Sequence, residues 1–380
     1  MALPFLILYL TRYLNVSASL AGLALSIYGI GGILTAPFAG RLSDRVGPFT
    51  VMRASLGLTG LLLFVIPLAH SFAVVALLTF LWALVAEGTR PATMSALTAT
   101  TSPDQRKSAI AVNRLAVNLG MSIGPAVGGF LATVSFPLLF IVDGATSLAA
   151  AIVLSILLRT RDLTATIPES RLNPSRVADS VQSPTSASVW KDRNAIEFLA
   201  AIFLMNLVFM QNQGALPLYL VRDLNHRESF YGMLFVVNTL LIVAFEVPLN
   251  LAMSHWSHRS ALAVGIVLTA VGFGAVGLST SSAFIIGTVV VWTFGEMIVF
   301  PVATAYVADI APPGRNGEYM GAFSSVISLA LVLGPWLGVA ALDRFGPVLM
   351  WSGVLVVGLL AGLALLLSKE KPSSALSSFP

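Results

Sequence analysis

Cysteine is absent from the 380 residues, and only 10% of them are charged. The first absence excludes disulfide frameworks and thiolate metal sites. The second excludes an ordinary water-soluble surface, since globular domains carry about 25% charged residues. The four histidines, His70, His226, His255 and His258, stand near the ends of apolar runs and form no HExxH pattern; a nucleotide-binding glycine loop is also missing. With no soluble domain in view, an enzyme or a non-transporting receptor has little to support it. Met1 is followed directly by ALPFLILYL, without a basic n-region or small-residue cleavage site, so no cleavable signal peptide is expected.

What is present is apolar. Hydrophobic residues make up 57% of the chain, and mean hydropathy is +0.89. Runs long enough to cross a ~30 Å hydrocarbon core as helices recur throughout, and they lack the apolar–polar alternation of barrel strands. The pattern predicts spans at 1–13, 19–40, 49–69, 72–99, 108–132 and 136–158, then at 195–221, 229–252, 260–280, 282–310, 317–341 and 346–368. An Arg-, Ser-, Thr- and Pro-rich stretch, 159–194, reads as a linker, and 369–380 as a polar tail. The expected organisation is a six-helix bundle at 1–158, the linker, a second bundle at 195–368 and the tail.

The two halves repeat. Tyr9-Leu10-x-Arg12-x-Leu14-Asn15 recurs 210 residues later as Tyr219-Leu220-x-Arg222-x-Leu224-Asn225. The same shift carries Ser19 to Ser229, Gly22 to Gly232, Trp82 to Trp292, Pro91 to Pro301, Gly124-Pro125 to Gly334-Pro335, Gly128 to Gly338 and Pro137 to Pro347. So many coincidences at one spacing imply homologous halves, the plan of rocking secondary transporters. Against the seventh span, the first is short by two to three turns, so an N-terminal extension is expected. Sixteen Lys and Arg residues fall on the side of the linker and C-terminus and four (Arg12, Arg222, Arg227 and Arg344) on the other. That asymmetry predicts a cytoplasmic linker and cytoplasmic termini, and it accounts for the net charge of +4 without nucleic acid.

Between the second and third spans, Gly40, Leu42, Asp44, Arg45, Gly47 and Arg53 are arranged in a way that resembles the signature loop of the major facilitator superfamily. The resemblance extends along essentially the whole chain. It implies an all-α membrane fold of two six-helix bundles, in which Asp44 is a cytoplasmic latch carboxylate near a helix N-terminus of the other half. Arg45 and Arg53 would be its basic partners, and Gly40 and Gly47 close-approach and turn residues. Pro48 and Phe49 depart from the family, which usually has two basic residues there. A solvated turn that only sets topology is the alternative. The second-half loop Ser254-His255-Trp256-Ser257-His258-Arg259 has no carboxylate, and its histidines read first as interfacial.

Glu87 and Arg90 lie three residues apart on one face of the fourth span. Arg90 resembles the family's second motif, associated with proton-coupled members. The pair reads either as a proton-exchanging carboxylate with its tuning cation or as a structural ion pair. On the fifth span, Gly120, Gly124, Pro125, Gly128 and Gly129 resemble the antiporter motif of exporters, where small residues let a neighbouring backbone approach. Gly334, Pro335 and Gly338 echo it on the eleventh span. Tight packing without directional meaning is the other reading.

Among acidic residues at membrane depth, which usually face a cavity or one another, Glu296 and Glu246 are preferred over Asp143 as proton carriers. Asn113, Asn118, Asn206, Gln211, Gln213 and Asn238 are candidate cavity residues, with Asn118, Asn206, Gln211 and Asn238 preferred for substrate. The expectation is a monomeric plasma-membrane transporter, without metal or cofactor, whose partners are a small-molecule substrate, protons and the lipid bilayer. Proton-driven export of small lipophilic molecules is the favoured activity, and uptake or facilitated passage of a polar metabolite the runner-up.

Overall fold

The computed structural model describes residues 1–102, 105–161, 189–312 and 315–367; most of the expected linker and the whole tail lie outside them. Among the described residues every regular element is helical. A 3-10 turn (Leu3–Phe5), α1 (Leu6–Leu8) and a π-helical turn (Tyr9–Tyr13) form the first span. It is followed by α2 (Ala18–Val46), α3 (Pro48–Val65), α4 (Phe72–Ala86), α5 (Thr89–Thr100), α6 (Arg106–Val134) and α7 (Phe136–Arg161). In the second half come α8 (Arg193–Phe209), α9 (Ala215–Leu218), a π-helical turn (Tyr219–Asp223), α10 (Glu228–Ala252), α11 (His258–Ala275), α12 (Ser282–Ile310) and α13 (Asn316–Leu367). The eleventh and twelfth spans run together in α13 but are divided at Gly346, whose φ of +76° no helical residue adopts. Ten segments of the described residues are long and apolar enough to cross a membrane. This total counts α13 once and omits the short first span.

The repeat is carried into the backbone. Helices begin at 18 and 228, 48 and 258, 72 and 282, and 106 and 316, each pair 210 apart. Both π-helical turns end on an asparagine in the left-handed region, Asn15 at φ 52° and Asn225 at φ 56°. Asparagine tolerates that conformation better than other non-glycine residues. Ser71 and Ser281 hold the equivalent N-terminal positions of α4 and α12, and the Ser71 side chain accepts from the Val74 amide. One element breaks the symmetry: the fourth span is interrupted at Glu87–Gly88, whereas α12 runs unbroken through Met297–Ile298. Gly88 and Thr89 are weaker helix formers than the corresponding Ile298 and Val299.

The chain packs as two units. The first comprises Met1–Gln182, Met210–Leu241 and Leu331–Met350, so it contains elements from both halves of the repeat. The second comprises Ser183–Phe209, Ile242–Ala330 and Trp351–Pro380. Its core joins Phe198, Tyr306 and Phe323 to buried aliphatic residues of α8, α11, α12 and α13. Phe198 meets Tyr306 edge-on, with ring centroids 4.9 Å apart. α11 and α12 approach so closely that a Cβ on Gly265 would sit 3.1 Å from the Gly295 carbonyl oxygen. Lipid is as apolar as the side chains, so helices in a bilayer associate through such close contact.

Candidate functional site

The expected antiporter motif lies on α6, where it meets α10 within the first unit. A Cβ on Gly129 would stand 2.8 Å from the Glu228 carbonyl oxygen and 3.1 Å from the Gly232 Cα. On the facing helix, a Cβ on Gly232 would collide with the Pro125 carbonyl. Gly124 and Gly128 face the first span instead: a Cβ would lie 3.6 Å from the Met1 side chain at Gly124 and 3.0 Å from the Phe5 ring at Gly128. Gly120 has open space beside it.

The echo on α13 works the same way. A Cβ on Gly22 of α2 would sit 3.2 Å from the Trp336 Cα and 3.6 Å from the Pro335 carbonyl oxygen. Gln211 donates from Nε2 to the Gly334 carbonyl at 3.0 Å, and its side chain fills the space that Gly338 leaves open. Gln211, expected to face substrate, is therefore engaged with α13.

Charged groups line the end of this contact. Arg12 pairs with Glu228 at 2.9 Å and donates to the Val221 carbonyl at 3.0 Å. The Ser229 amide donates to Thr133 Oγ1 at 3.2 Å. The repeat equivalent of Arg12, Arg222, pairs with Asp223 and Asp343 at 2.6 and 2.5 Å. Glu228 and Asp343 were not among the expected site residues. The repeated Tyr-Leu-x-Arg motif signals the arginines, but their partners come from helices distant in sequence.

Glu87 sits where the fourth span breaks. Tyr28 of α2 donates to its Oε1 at 3.1 Å, and Arg90 Nε lies 3.2 Å from Oε2. Gly32 makes room for the carboxyl stem, because a Cβ there would meet the Glu87 Cγ at 3.2 Å. The Tyr28 ring packs edge-on against Trp82 at 5.2 Å. The expected Glu87–Arg90 pair thus exists, with the carboxylate mostly buried and the guanidinium 82% exposed.

In the second unit, Asn250 of α10 donates to the Glu246 carbonyl at 2.7 Å and to the Met297 carbonyl of α12 at 3.2 Å. This bridge ties α10 to α12 one turn from Glu246 and beside Glu296. Phe245 and Phe294, one residue before Glu246 and two before Glu296, lie 5.9 Å apart. Asp143 accepts from the Ala2 amide at 2.8 Å. Asn206 is buried and donates to the Ile202 carbonyl at 2.8 Å, while its Oδ1 has no hydrogen-bond partner among the described residues. Asn238 is buried and Asn118 half-buried; the two are on α10 and α6 respectively.

The signature stretch is divided. Gly47, at φ 86°, makes the turn between α2 and α3 that was expected of it, and Gly40 has open space beside it. Arg45 is exposed. The Asp44 side chain lies outside the described residues. Arg53 lines a groove against α7.

The Major Facilitator Superfamily model matches residues 1–219 and 198–379. The MFS-type transporter YqjV of Bacillus subtilis is 26% identical over 94% of this chain and 88% of its own length. The quinolone resistance protein NorA of Staphylococcus aureus is 24% identical over 94% of this chain and 90% of its own. Solved structures with the same fold include the peptide transporter POT (TM-score 0.79, 16% identity, 96% of this chain and 89% of that one) and the nucleoside transporter NupG (TM-score 0.78, 12% identity, 96% and 94%). With both halves of the chain matching the family model and its helices repeating at one offset, the chain belongs to the Major Facilitator Superfamily and is a multi-pass membrane transporter, not an enzyme.

Proposed function

We propose that this transporter exports small, largely apolar molecules in exchange for protons, by alternating access between its two repeated halves in the plasma membrane. The observation that supports this reading is the α6–α10 contact. Within the antiporter-like run, Pro125 and Gly129 meet the α10 backbone at Glu228–Gly232, where one half of the repeat touches the other. The relationship to a quinolone resistance protein points the same way. The basic side of the chain faces the cytoplasm, and the Arg12–Glu228 pair is an outer clasp.

Glu296 and Glu246 are the proton carriers, on the two helices that the Asn250 bridge ties together. Asp143 is already engaged by a backbone amide, and Glu87 by Tyr28 and Arg90. Asn118, Asn206 and Asn238 supply polar contacts to substrate, as the buried, unmatched Oδ1 of Asn206 suits.

Transport of a quinolone in energised vesicles tests the direction. Accumulation in inside-out vesicles with an acidic lumen is expected. Accumulation in right-side-out vesicles under an inward proton gradient would instead make the protein an uptake symporter. Glu296→Gln and Glu246→Gln should abolish proton coupling singly or together. Unchanged coupling in the double variant removes both from the scheme.

A further inference from the structure

A groove of about 300 Å³ runs between α3 and α7, lined by Arg53, Leu148, Ala151, Ile152, Ser155 and Ile156. Five of these residues belong to α7, and among them Ile152 and Ile156 are 58% and 56% exposed. The intervening Val153 and the following Leu157 are exposed as well. On a span as little buried as Phe136–Leu158, a surface this apolar faces acyl chains rather than water.

Arg53 stands out in that setting. It is five residues into α3, about 8 Å along the axis from the helix start, at the depth where headgroups give way to hydrocarbon. No carboxylate of the described residues lies within ion-pair distance of it. A half-buried guanidinium at a bilayer face needs a counter-anion, and long basic side chains there reach toward the headgroup layer. From Ile156 to Leu148 the α7 wall extends about 12 Å toward the bilayer centre, enough for the upper methylenes of an acyl chain. Ser155 Oγ already donates to the Ala151 carbonyl at 2.7 Å, which leaves its lone pairs toward the groove as an acceptor for a headgroup or glycerol hydroxyl.

We propose that the Arg53 groove is a binding site for an anionic glycerophospholipid of the basic-side leaflet, with the phosphodiester on the Arg53 guanidinium and one acyl chain along Ile156, Ile152 and Leu148. A guanidinium matches a phosphate by paired hydrogen bonds, which an ammonium cannot do. The exposed Arg41 and Arg45, in the last two turns of α2 before Gly47, add positive charge at the same end. Such a site is independent of the transported substrate, and it gives Arg53 a role other than partnering Asp44.

Native mass spectrometry of the full chain, delipidated and titrated with phosphatidylglycerol or phosphatidylcholine, tests it. The wild type should bind phosphatidylglycerol about five-fold more tightly at its highest-affinity site, in keeping with one basic residue at a membrane surface. Arg53→Gln should erase that preference, and Arg53→Lys should keep part of it. Ile152→Trp, which fills the groove, should weaken both lipids while leaving the thermal melting of the detergent-solubilised protein unchanged. Glycerophosphoglycerol, the same headgroup without acyl chains, should not displace the bound lipid. Equal affinity for the two lipids, an intact preference in Arg53→Gln, or displacement by the soluble headgroup would each overturn the proposal.

Discussion

Gly129 and Gly232, one from each half of the repeat, approach until the Gly232 Cα lies 3.1 Å from where a Cβ on Gly129 would stand. From α6, the Pro125 carbonyl occupies the place where a Cβ on Gly232 would stand. Proline at 125 also leaves the Met121 carbonyl without its helical donor and makes a bend there easier. Where two helices touch through glycine backbone, as at Gly129 and Gly232, they can separate without withdrawing bulky interlocked side chains. That property suits a contact which opens and closes in every transport cycle.

Gly232→Ala should therefore damage transport out of proportion to its size. Forcing a methyl group into a closed contact costs roughly 1–3 kcal/mol, and here the cost falls on the state in which the Arg12 end is shut. A fall of ten-fold or more in transport rate is expected. Gly120→Ala, where nothing lies within 4 Å, should be close to neutral. Similar rates for the two variants would show that the contact is incidental.

Arg12 and Glu228 should behave as a coupled pair. Glu228 is nearly enclosed, so removing Arg12 strands a buried carboxylate, and the single loss should cost more than the double replacement implies. Because the chain has no cysteine, Ser229→Cys gives a unique reporter. Its labelling by a membrane-impermeant maleimide should quicken several-fold when Arg12→Gln is added. An unchanged rate would mean that the pair does not hold this end closed.

Tyr28→Phe removes a hydrogen bond to a carboxylate while keeping the ring against Trp82. Hydrogen bonds to charged groups contribute about 1.5–3 kcal/mol, so the variant should unfold at lower denaturant and transport more slowly. Glu87→Gln should shift both in the same direction. If Tyr28→Phe matches the wild type in both measurements, the hydroxyl has only a packing role.

Asn225 holds a left-handed conformation after a π-helical turn, as Asn15 does. Asn225→Val should destabilise the protein by about 1–2 kcal/mol, whereas Asn225→Gly should be tolerated. Equal melting temperatures for the two would place the strain elsewhere.

Asp44→Asn should lower transport far more than His255→Gln while leaving membrane insertion intact, since only the first-half loop keeps its carboxylate. Equal effects would reduce the loop to a topology signal.

Much of this arrangement was legible one residue at a time. Composition alone required a membrane protein. The shift of 210 residues paired Asn15 with Asn225 and Gly124-Pro125 with Gly334-Pro335; the helix starts and the left-handed asparagines follow the same offset in the structure, because a repeated local sequence repeats local backbone properties. The fourth span was expected as one helix, and its interruption at Glu87–Gly88 was legible only as a single glycine, too weak a signal to end a helix by itself.

The tertiary structure decided which groups meet. Glu228 and Asp343 look like unremarkable loop-end acids until folding brings Arg12 and Arg222 beside them. Gln211 resembles a cavity amide until Gly338 opens a slot for it. Arg53 reads as part of a charged loop until α7 supplies the apolar wall beneath it. Hydropathy and helix caps are set by neighbours along the chain, so sequence determined the number, order and repetition of the spans. The Arg12–Glu228 ion pair joins residues 216 apart in the chain, and the approach of Gly22 to the Trp336 backbone joins helices still farther apart in sequence; only the packed structure sets those distances.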